Sequence, residues 1–322
     1  MEAISLKMEQ EIQKSQKEAT RDGYGKALLE LGKQNPDVVA LDADLSDSTR
    51  SEYFGKRFPE RFFNMGIAEQ NMIGTASGLA ASGKIVYAST FAIFSERAYE
   101  FIRNIVSRNK LNVKIAGSHA GISTGEDGKS AQAIEDIAIY RALPNMIVLE
   151  PADSIEAEKM VFEAAKRKCP VYFRLNRNAV PILHKEDYKF EIGKGEILRK
   201  GSDAVIFASG LMVHEALKAA EILKNNGIEL CVVNLSTIKP IDEKLIVELA
   251  KKIKNVFTAE DHNIIGGLGS AVAEVLSEKY PCRIVRIGMN DQYAESGKPS
   301  ELYEKYGLSA EKIAKRIEES IK

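Results

Sequence analysis

The sequence contains few of the residues that build disulfide frameworks or metal centres. Its 322 residues include four histidines, no tryptophan and three cysteines, which are Cys169, Cys231 and Cys282. The cysteines are widely spaced and form no CxxC pair, so neither a disulfide network nor a zinc site is expected. Unpaired cysteines are typical of a reducing compartment, and we predict a cytoplasmic protein. Four histidines are too few for a His-rich metal site, and we predict no metal ligand in this chain.

The sequence also lacks an excess of either charge and any long apolar run. Lys and Arg total 45 against 46 Asp and Glu, which gives a formal net charge of −1. This balance provides no electrostatic basis for binding nucleic acid or an anionic membrane. No stretch reaches the ~18 uninterrupted apolar residues that suggest a transmembrane helix. Residues 1–15 are too polar for a secretory signal, and we treat them as an N-terminal extension.

Short apolar runs alternate with longer amphipathic segments in a first block of the chain. Strands are predicted at 38–45, 84–90, 112–118, 146–153 and 170–175, with helices near 21–34, 69–82, 95–108, 133–142 and 154–167. This alternation is typical of a parallel sheet with helices on both faces.

The pattern restarts after a polar stretch at 183–201, which we interpret as a linker that forms a small hairpin. Further strands are predicted at 203–210, 228–238, 255–261 and 283–291, and a last helix at about 309–320. We therefore predict an α/β protein with two consecutive three-layer domains and largely parallel sheets, at 16–182 and 202–322.

Polar side chains gather where the predicted strands of the first block end. In open α/β sheets, ligands bind beyond the carboxyl ends of the strands. Each side chain could instead cap the helix that follows it. Because so many lie at one edge, we predict a ligand site there; the residues include Asp42, Asp44, Ser48, Ser118, His119, Asp153, Arg174 and Arg177.

A single acid, Glu69, opens a predicted helix that otherwise consists of small and apolar residues. Its neighbours include Ile67, Ala68 and Met72, so we expect a partly desolvated carboxyl. Such a carboxyl can act as an acid or hydrogen-bond donor, whereas many first-turn carboxylates only complement the helix dipole. Phe91 and Phe94 lie at a strand-to-helix transition and fit either a core or a cofactor platform.

Taken in order, these segments resemble the transketolase family. The segments include NMGIAEQNMIGTASGLAASG at 64–83, TFAIF at 90–94, SHAGISTGEDG at 118–128, STIKPID at 236–242 and AEDHNIIGGLGSAVAEVL at 259–276. The resemblance covers about residues 15–322 and is to the C-terminal half of a full-length transketolase, which contains the pyrimidine-binding and C-terminal domains.

The resemblance implies thiamine diphosphate as cofactor, together with Mg²⁺ or Ca²⁺. The family binds the diphosphate and metal through a GDG…NN motif in another domain, and this sequence lacks that motif. The chain therefore resembles the smaller subunit of a split transketolase, with an N-terminal subunit as its partner and a heterotetramer of two of each. The implied activity is transfer of a two-carbon ketol unit from a ketose phosphate to an aldose phosphate in the pentose phosphate pathway.

The resemblance also implies roles for individual residues. Glu69 matches the catalytic glutamate that contacts N1′ of the aminopyrimidine. The expected cofactor contacts are Phe91, Phe94, Asp44 and Ile67. The expected substrate contacts are Arg21, Ser48, His119, Asp127 and Arg177, of which Arg21, Ser48 and Arg177 match a sugar-phosphate site. Arg97 stands where several relatives have a tyrosine.

One departure from the family pattern concerns the loop that usually reads GEDGxxHQ. Ala131 occupies the histidine position, and its methyl group cannot donate a hydrogen bond. Alternatives in the same cofactor class are a deoxyxylulose-phosphate synthase and the β subunit of a 2-oxo acid dehydrogenase. A non-catalytic assembly partner is a further alternative. A dehalogenase-type phosphatase is another, because VVALDADLS at 38–46 mimics the nucleophile strand of that class.

Overall fold

The computed structural model describes residues 16–321, so the extension predicted at 1–15 lies outside the described residues. The strands are β1 Lys17–Glu18, β2 Val38–Asp42, β3 Phe62–Asn64, β4 Ile85–Phe91, β5 Val113–Ser118, β6 Ile147–Leu149, β7 Val171–Arg174, β8 Val180–Pro181, β9 Glu196–Arg199, β10 Ala204–Ala208, β11 Leu230–Asn234, β12 Thr237–Lys239, β13 Asn255–Asn263 and β14 Ile284–Met289.

The longer helices are α1 Thr20–Gln34, α2 Glu69–Ala81, α3 Asp136–Ala142, α4 Ser154–Ala165, α5 Met212–Asn225, α6 Glu243–Lys252, α7 Leu268–Lys279, α8 Pro299–Tyr306 and α9 Ala310–Ile321. Shorter helical segments are Ser46–Thr49, Glu52–Arg57, Pro59–Arg61, Ala92–Ser95, Glu96–Ala98, Tyr99–Phe101, Ile102–Ser107 and Ile122–Asp127. No helix within residues 16–321 is long and apolar enough to cross a membrane.

Two largely parallel sheets confirm the predicted fold class. The first sheet has the order β12-β6-β7-β5-β4-β2-β3, and the second has the order β14-β13-β10-β11-β9. Within them, only the pairs β12–β6 and β11–β9 are antiparallel. β2, β5 and β7 of the first sheet are buried along their whole length, as expected for strands covered by helices on both faces.

The segment 183–201 differs from the hairpin that the sequence predicted. It contains one strand, β9, which pairs antiparallel with β11 of the second sheet. A hairpin needs two adjacent strands joined by a tight turn, and the rest of this segment is irregular. The predicted linker therefore ends as an edge strand of the second domain.

The predicted helix at 95–108 is also different. The chain changes from a 3₁₀ turn at Glu96–Ala98 to a single α turn and then to a π-helix at Ile102–Ser107. The change in winding keeps Ala98, Ile102 and Val106 buried against the same core. Such π segments often lie beside functional sites, and this one begins five residues after Arg97.

A strand from the second half of the chain completes the first sheet. β12 pairs with β6, and its Ile238 packs into the hydrophobic core of the first domain. The Nζ of Lys239 donates to the carbonyl oxygens of Arg141 and Leu143 at the end of α3, at 2.8 and 2.5 Å. The two domains therefore share a sheet as well as an interface.

A fully buried guanidinium, that of Arg174, joins the two domains. Its Nε donates to Asp136 at 2.9 Å, and its Nη1 donates to Glu150 at 2.6 Å. Its Nη2 donates to the carbonyl oxygen of Asp261 in the second domain, at 2.8 Å. Burial alone would lower the pKa of Arg174, but the two carboxylates outweigh it and raise that pKa well above its usual value.

Replacing Arg174 by methionine should strongly destabilise the protein. The change leaves the carboxyls of Asp136 and Glu150 buried without their cation, which typically costs about 3–5 kcal/mol of unfolding free energy. Urea denaturation measures this loss. The control is Arg103→Met, because Arg103 is exposed and, among residues 16–321, its side chain bonds only to the neighbouring Asn104. Equal unfolding midpoints for the two variants would contradict the role of Arg174.

Candidate active site

The carboxyl ends of β2, β4, β5 and β7 lie side by side, because these strands are neighbours in the first sheet. Asp44 follows β2, Phe91 ends β4, His119 follows β5 and Arg177 lies beyond β7. Glu69 begins α2, which packs against β4. The predicted site edge is therefore formed by residues that are far apart in the sequence.

The Glu69 carboxyl is buried beside a cation. Its side chain is 3% exposed, and its Oε1 lies 3.3 Å from Nη1 of Arg97, a side chain that is 52% exposed. Ile67 does not cover the carboxyl as expected, since it is 76% exposed. The Glu69 carboxyl is nevertheless buried, and it also pairs with a half-exposed guanidinium. Spacing along the chain could not reveal this ion pair, because the two residues are separated by 28 positions.

An aromatic stack lies beside this ion pair. The rings of Phe91 and Phe94 are stacked with centroids 5.5 Å apart and planes 12° apart. The imidazole of His119 stacks on the ring of Phe91, with ring centroids 3.8 Å apart. The guanidinium of Arg97 lies 4.7 Å from the centre of the Phe94 ring. Both phenylalanines are only partly buried, so their rings can meet a ligand.

His119 is held as a neutral imidazole. Burial, and then the positive charges of Arg21 and Arg177, lower its pKa to about 3. Nη1 of Arg21 lies 3.3 Å from Nε2, and Ser118 Oγ lies 2.8 Å from Nδ1. A guanidinium can only donate, so Nε2 accepts and Nδ1 carries the proton that it donates to Ser118.

Three arginines, Arg21, Arg50 and Arg177, surround His119 and are termed the arginine cluster. Burial, followed by the charges of Arg50 and Arg177, lowers the pKa of Arg21. Nη1 of Arg21 also donates to the carbonyl oxygen of Ser48 at 2.9 Å, while its buried Nε has no partner among the described residues. Like charges gathered with an unused donor fit an anionic group.

The arginine cluster includes one residue that the sequence analysis missed. Arg50 has a left-handed backbone, with φ of 66°, and its Nε donates to Asp22 at 2.6 Å. It follows the short helix that contains Ser48, which was among the predicted phosphate ligands. The Asp22–Arg50 pair joins α1 to the end of this helix, beside the contact of Arg21 with Ser48, and no local motif marks it.

The two acids after β2 have different surroundings. Asp42 is buried, and its carboxyl accepts hydrogen bonds from Thr49, Ser51 and the backbone of Leu45. Burial raises its pKa to about 6. This carboxyl holds the turn that presents Ser48, and its burial does not fit the attacking aspartate of a phosphatase. Asp44 is exposed and accepts from Asn64 at 2.9 Å.

The glycine-rich loop at 121–132 is fixed by the second domain. The Asp261 carboxylate accepts from the backbone N–H groups of Ile122 and Ser123, and from the Tyr303 hydroxyl at 2.9 Å. Gly121 has φ of +75°, and an added Cβ there would lie 2.2 Å from Asp261. This loop carries Asp127, whose Oδ2 accepts from Nη1 of Arg177 at 3.0 Å.

Comparison with known proteins identifies the family. Residues 16–182 match the transketolase pyrimidine-binding domain, and residues 193–313 match the transketolase C-terminal domain. The chain therefore belongs to the transketolase family. Membership implies thiamine diphosphate as the cofactor, and the chain provides the domain that binds its pyrimidine end.

Three relatives show how much of the family this chain represents. A Methanocaldococcus jannaschii protein named transketolase C-terminal section is 55% identical over 94% of this chain and 96% of its own length. A solved structure described as a split gene transketolase, an inactive beta4 tetramer, has a TM-score of 0.88 and 52% identity, covering 94% of this chain and 98% of that chain. Human transketolase is 38% identical over 93% of this chain, which spans 48% of that protein.

The residues present fit one end of the cofactor better than the other. A partly exposed phenylalanine pair and a buried carboxyl suit an aminopyrimidine ring. Within residues 16–321 no group of three or more His, Cys, Asp or Glu side chains is arranged to hold a metal ion. Phe94 and Glu69 would hold the pyrimidine, and Phe91 would support Phe94 from behind.

None of the four histidines should titrate between pH 5 and pH 8. The pKa of His119 is lowered to about 3, and those of His214 and His262 to about 4, chiefly by burial. Burial opposes charge on His184 too, but hydrogen bonds with Asp153 and Glu196 raise its pKa to about 10. Histidine NMR across this range should show no imidazole transition, with single His→Asn variants for assignment. A midpoint near pH 6.5 for any of the four would contradict this arrangement.

Proposed function

We propose that this chain is the subunit of a two-chain transketolase that provides the pyrimidine-binding and C-terminal domains. The reaction is transfer of a two-carbon ketol unit from a ketose phosphate to an aldose phosphate. One observation carries the proposal: a buried carboxyl, an open aromatic pair and the arginine cluster converge at one sheet edge. The carboxyl would control a proton, the aromatic pair would bind the cofactor and the arginine cluster would bind the phosphate.

Glu69 would control a proton at N1′ of the aminopyrimidine. A buried carboxyl at a helix start can hold that proton in a hydrogen bond that water cannot disrupt. Phe94 would offer its ring face, and the exposed Ile67 and Asp44 would border the site. When bound, thiamine diphosphate supplies the nucleophilic carbon for the transfer.

The arginine cluster would bind the phosphate end of the sugars. Arg177 and Arg21 have forked donors that match phosphate oxygens, and Asp127 holds Arg177 in place at 3.0 Å. The neutral His119 adds no charge but orients Arg21 through its Nε2. Ser48 contributes through its carbonyl oxygen, which fixes the same arginine.

A second polypeptide would complete the site. Gly74 and Gly78 lie on one face of α2, and a Cβ added at either would meet no atom within 4 Å. Ile67 just before this helix and Phe63 on β3 are exposed at 76% and 41%. An open glycine face beside exposed apolar residues suits close packing by another protein surface. Glu69 begins the same helix, so a chain packed on this face would approach the pyrimidine site.

We propose that this partner is an N-terminal transketolase subunit with the GDG…NN motif, which binds the diphosphate together with Mg²⁺ or Ca²⁺. The length comparison supports a missing half, since this chain spans 48% of human transketolase. The similar split gene transketolase structure is described as a beta4 tetramer, which supports self-association of this kind of chain. A heterotetramer with two copies of each subunit would account for both the missing half and the self-association.

The proposal is tested by purifying the tagged chain with its partner from native cells. Ketol transfer from xylulose 5-phosphate to ribose 5-phosphate, with thiamine diphosphate and Mg²⁺ added, should require both chains. An active complex that accepts no ketose phosphate would support another thiamine diphosphate enzyme, such as a deoxyxylulose-phosphate synthase. A stable complex without any such activity would favour the assembly-partner alternative and make Ala131 the first position to examine.

In this complex, Glu69→Gln should lower kcat by roughly 100-fold or more, because the amide cannot hold the carboxyl proton. The thermal unfolding midpoint should stay near that of the wild type, since the amide has nearly the same shape. Glu60→Gln is the control, because the exposed carboxylate of Glu60 pairs, in the part of the chain that the structure describes, only with its neighbour Arg61. A Glu69→Gln complex with kcat within threefold of the wild type would refute the catalytic role.

Arg177→Ala should raise KM for ribose 5-phosphate roughly 10- to 100-fold, the usual loss for a hydrogen bond to a charged group. KM for unphosphorylated ribose should change little, because it offers no anion to the guanidinium. Steady-state kinetics with both acceptors measures the difference. If both KM values rise equally, Arg177 does not belong to the phosphate site.

A further inference from the structure

Arg97 contacts two groups that the proposed function assigns to the cofactor. Its Nη1 lies 3.3 Å from Oε1 of Glu69, and its guanidinium carbon lies 4.7 Å from the centre of the Phe94 ring. One planar, nitrogen-bearing group thus touches both the carboxyl and the aromatic face. An aminopyrimidine is also planar, bears nitrogens and needs the same two contacts.

The stacking of Phe94 adds to this overlap between the contacts of Arg97 and those of an aminopyrimidine. Phe91 already lies parallel to Phe94 with centroids 5.5 Å apart, and His119 lies beyond Phe91. Arg97 therefore contacts a ring that already belongs to an aromatic stack. A ligand ring that needs both the Phe94 face and the Glu69 carboxyl competes with this guanidinium for them.

The contacts of Arg97 are of a kind that a ligand can displace. The ion pair to Glu69 uses a single nitrogen and a single oxygen, and the Arg97 side chain is 52% exposed. The Glu69 carboxyl is buried, so a ligand that displaces Arg97 has to supply a hydrogen-bond partner in its place, as an aminopyrimidine nitrogen would. By contrast, Arg174 is fully buried and each of its three guanidinium nitrogens donates a hydrogen bond, so it is held far more firmly than Arg97.

We propose that Arg97 is a positioning residue that competes with the pyrimidine for Glu69 and Phe94 and has to move when the cofactor binds. The inference rests on the proposed function, because it takes Glu69 and Phe94 as the pyrimidine contacts. Arg97 pairs with the buried Glu69 carboxyl, and the cofactor would have to replace that contact. Its displacement then consumes part of the binding free energy, so Arg97 weakens cofactor affinity.

The test compares thiamine diphosphate binding by the purified two-chain complex and its Arg97 variants, using titration calorimetry with Mg²⁺ present. Arg97→Ala removes the occupant and should tighten the dissociation constant about tenfold, which corresponds to about 1.4 kcal/mol. Arg97→Lys keeps the charge but loses the planar group, and its dissociation constant should lie between the two. Arg103→Ala, at an exposed arginine in the π-helix that follows, is the matched control and should bind like the wild type.

Kinetics separate this role from a catalytic one. With saturating cofactor, kcat of Arg97→Ala should stay within threefold of the wild type, while the cofactor concentration for half-maximal activity falls. Weaker or unchanged binding in Arg97→Ala would overturn the inference, as would a loss of kcat at unchanged affinity. If Arg97→Ala unfolds, Arg97→Gln tests the same point, because it keeps most of the side chain but not the charge. A wild-type complex that binds no thiamine diphosphate would refute the proposed function itself.

Discussion

The site depends on one constraint, the buried guanidinium of Arg174, which pairs with two carboxylates and joins the two domains. A charge buried this deeply is tolerated only when every donor has a partner, and its partners come from α3, from the end of β6 and from β13 of the second domain. Because Arg174 ends β7, this network also fixes the start of the segment that leads to Arg177. The second domain thereby shapes the arginine-rich end of a site whose side chains all lie in the first domain.

Arginines lie beside both His119 and Glu69. Burial, together with the arginine cluster, keeps His119 neutral, and the guanidinium of Arg97 lies beside the buried Glu69 carboxyl. An anion that binds the arginine cluster would therefore weaken the positive field acting on His119.

The sequence predicted the buried strands and the site edge because those features are local. Continuous apolar runs mark β2, β4, β5 and β7, and polar residues at their ends mark the edge where ligands bind. What it missed depends on contacts between distant residues. Neither the partner of Glu69 nor the pairing of Arg50 with Asp22 can be read from spacing, and β12 is too short to show that it joins a sheet formed about a hundred residues earlier. The predicted hairpin failed for the same reason, since β9 pairs with a strand outside the segment.

The crossing of β12 into the first sheet limits how a gene for such a chain can be divided. A break in the polar segment at 183–195 looks harmless in the sequence, yet it would place Ile238 in a different polypeptide from the core that it fills. The first fragment would then expose the edge of β6, and unpaired strand edges invite association with other chains. Within the described residues, the two domains therefore form one structural unit, and a chain broken between them would lose part of its first core.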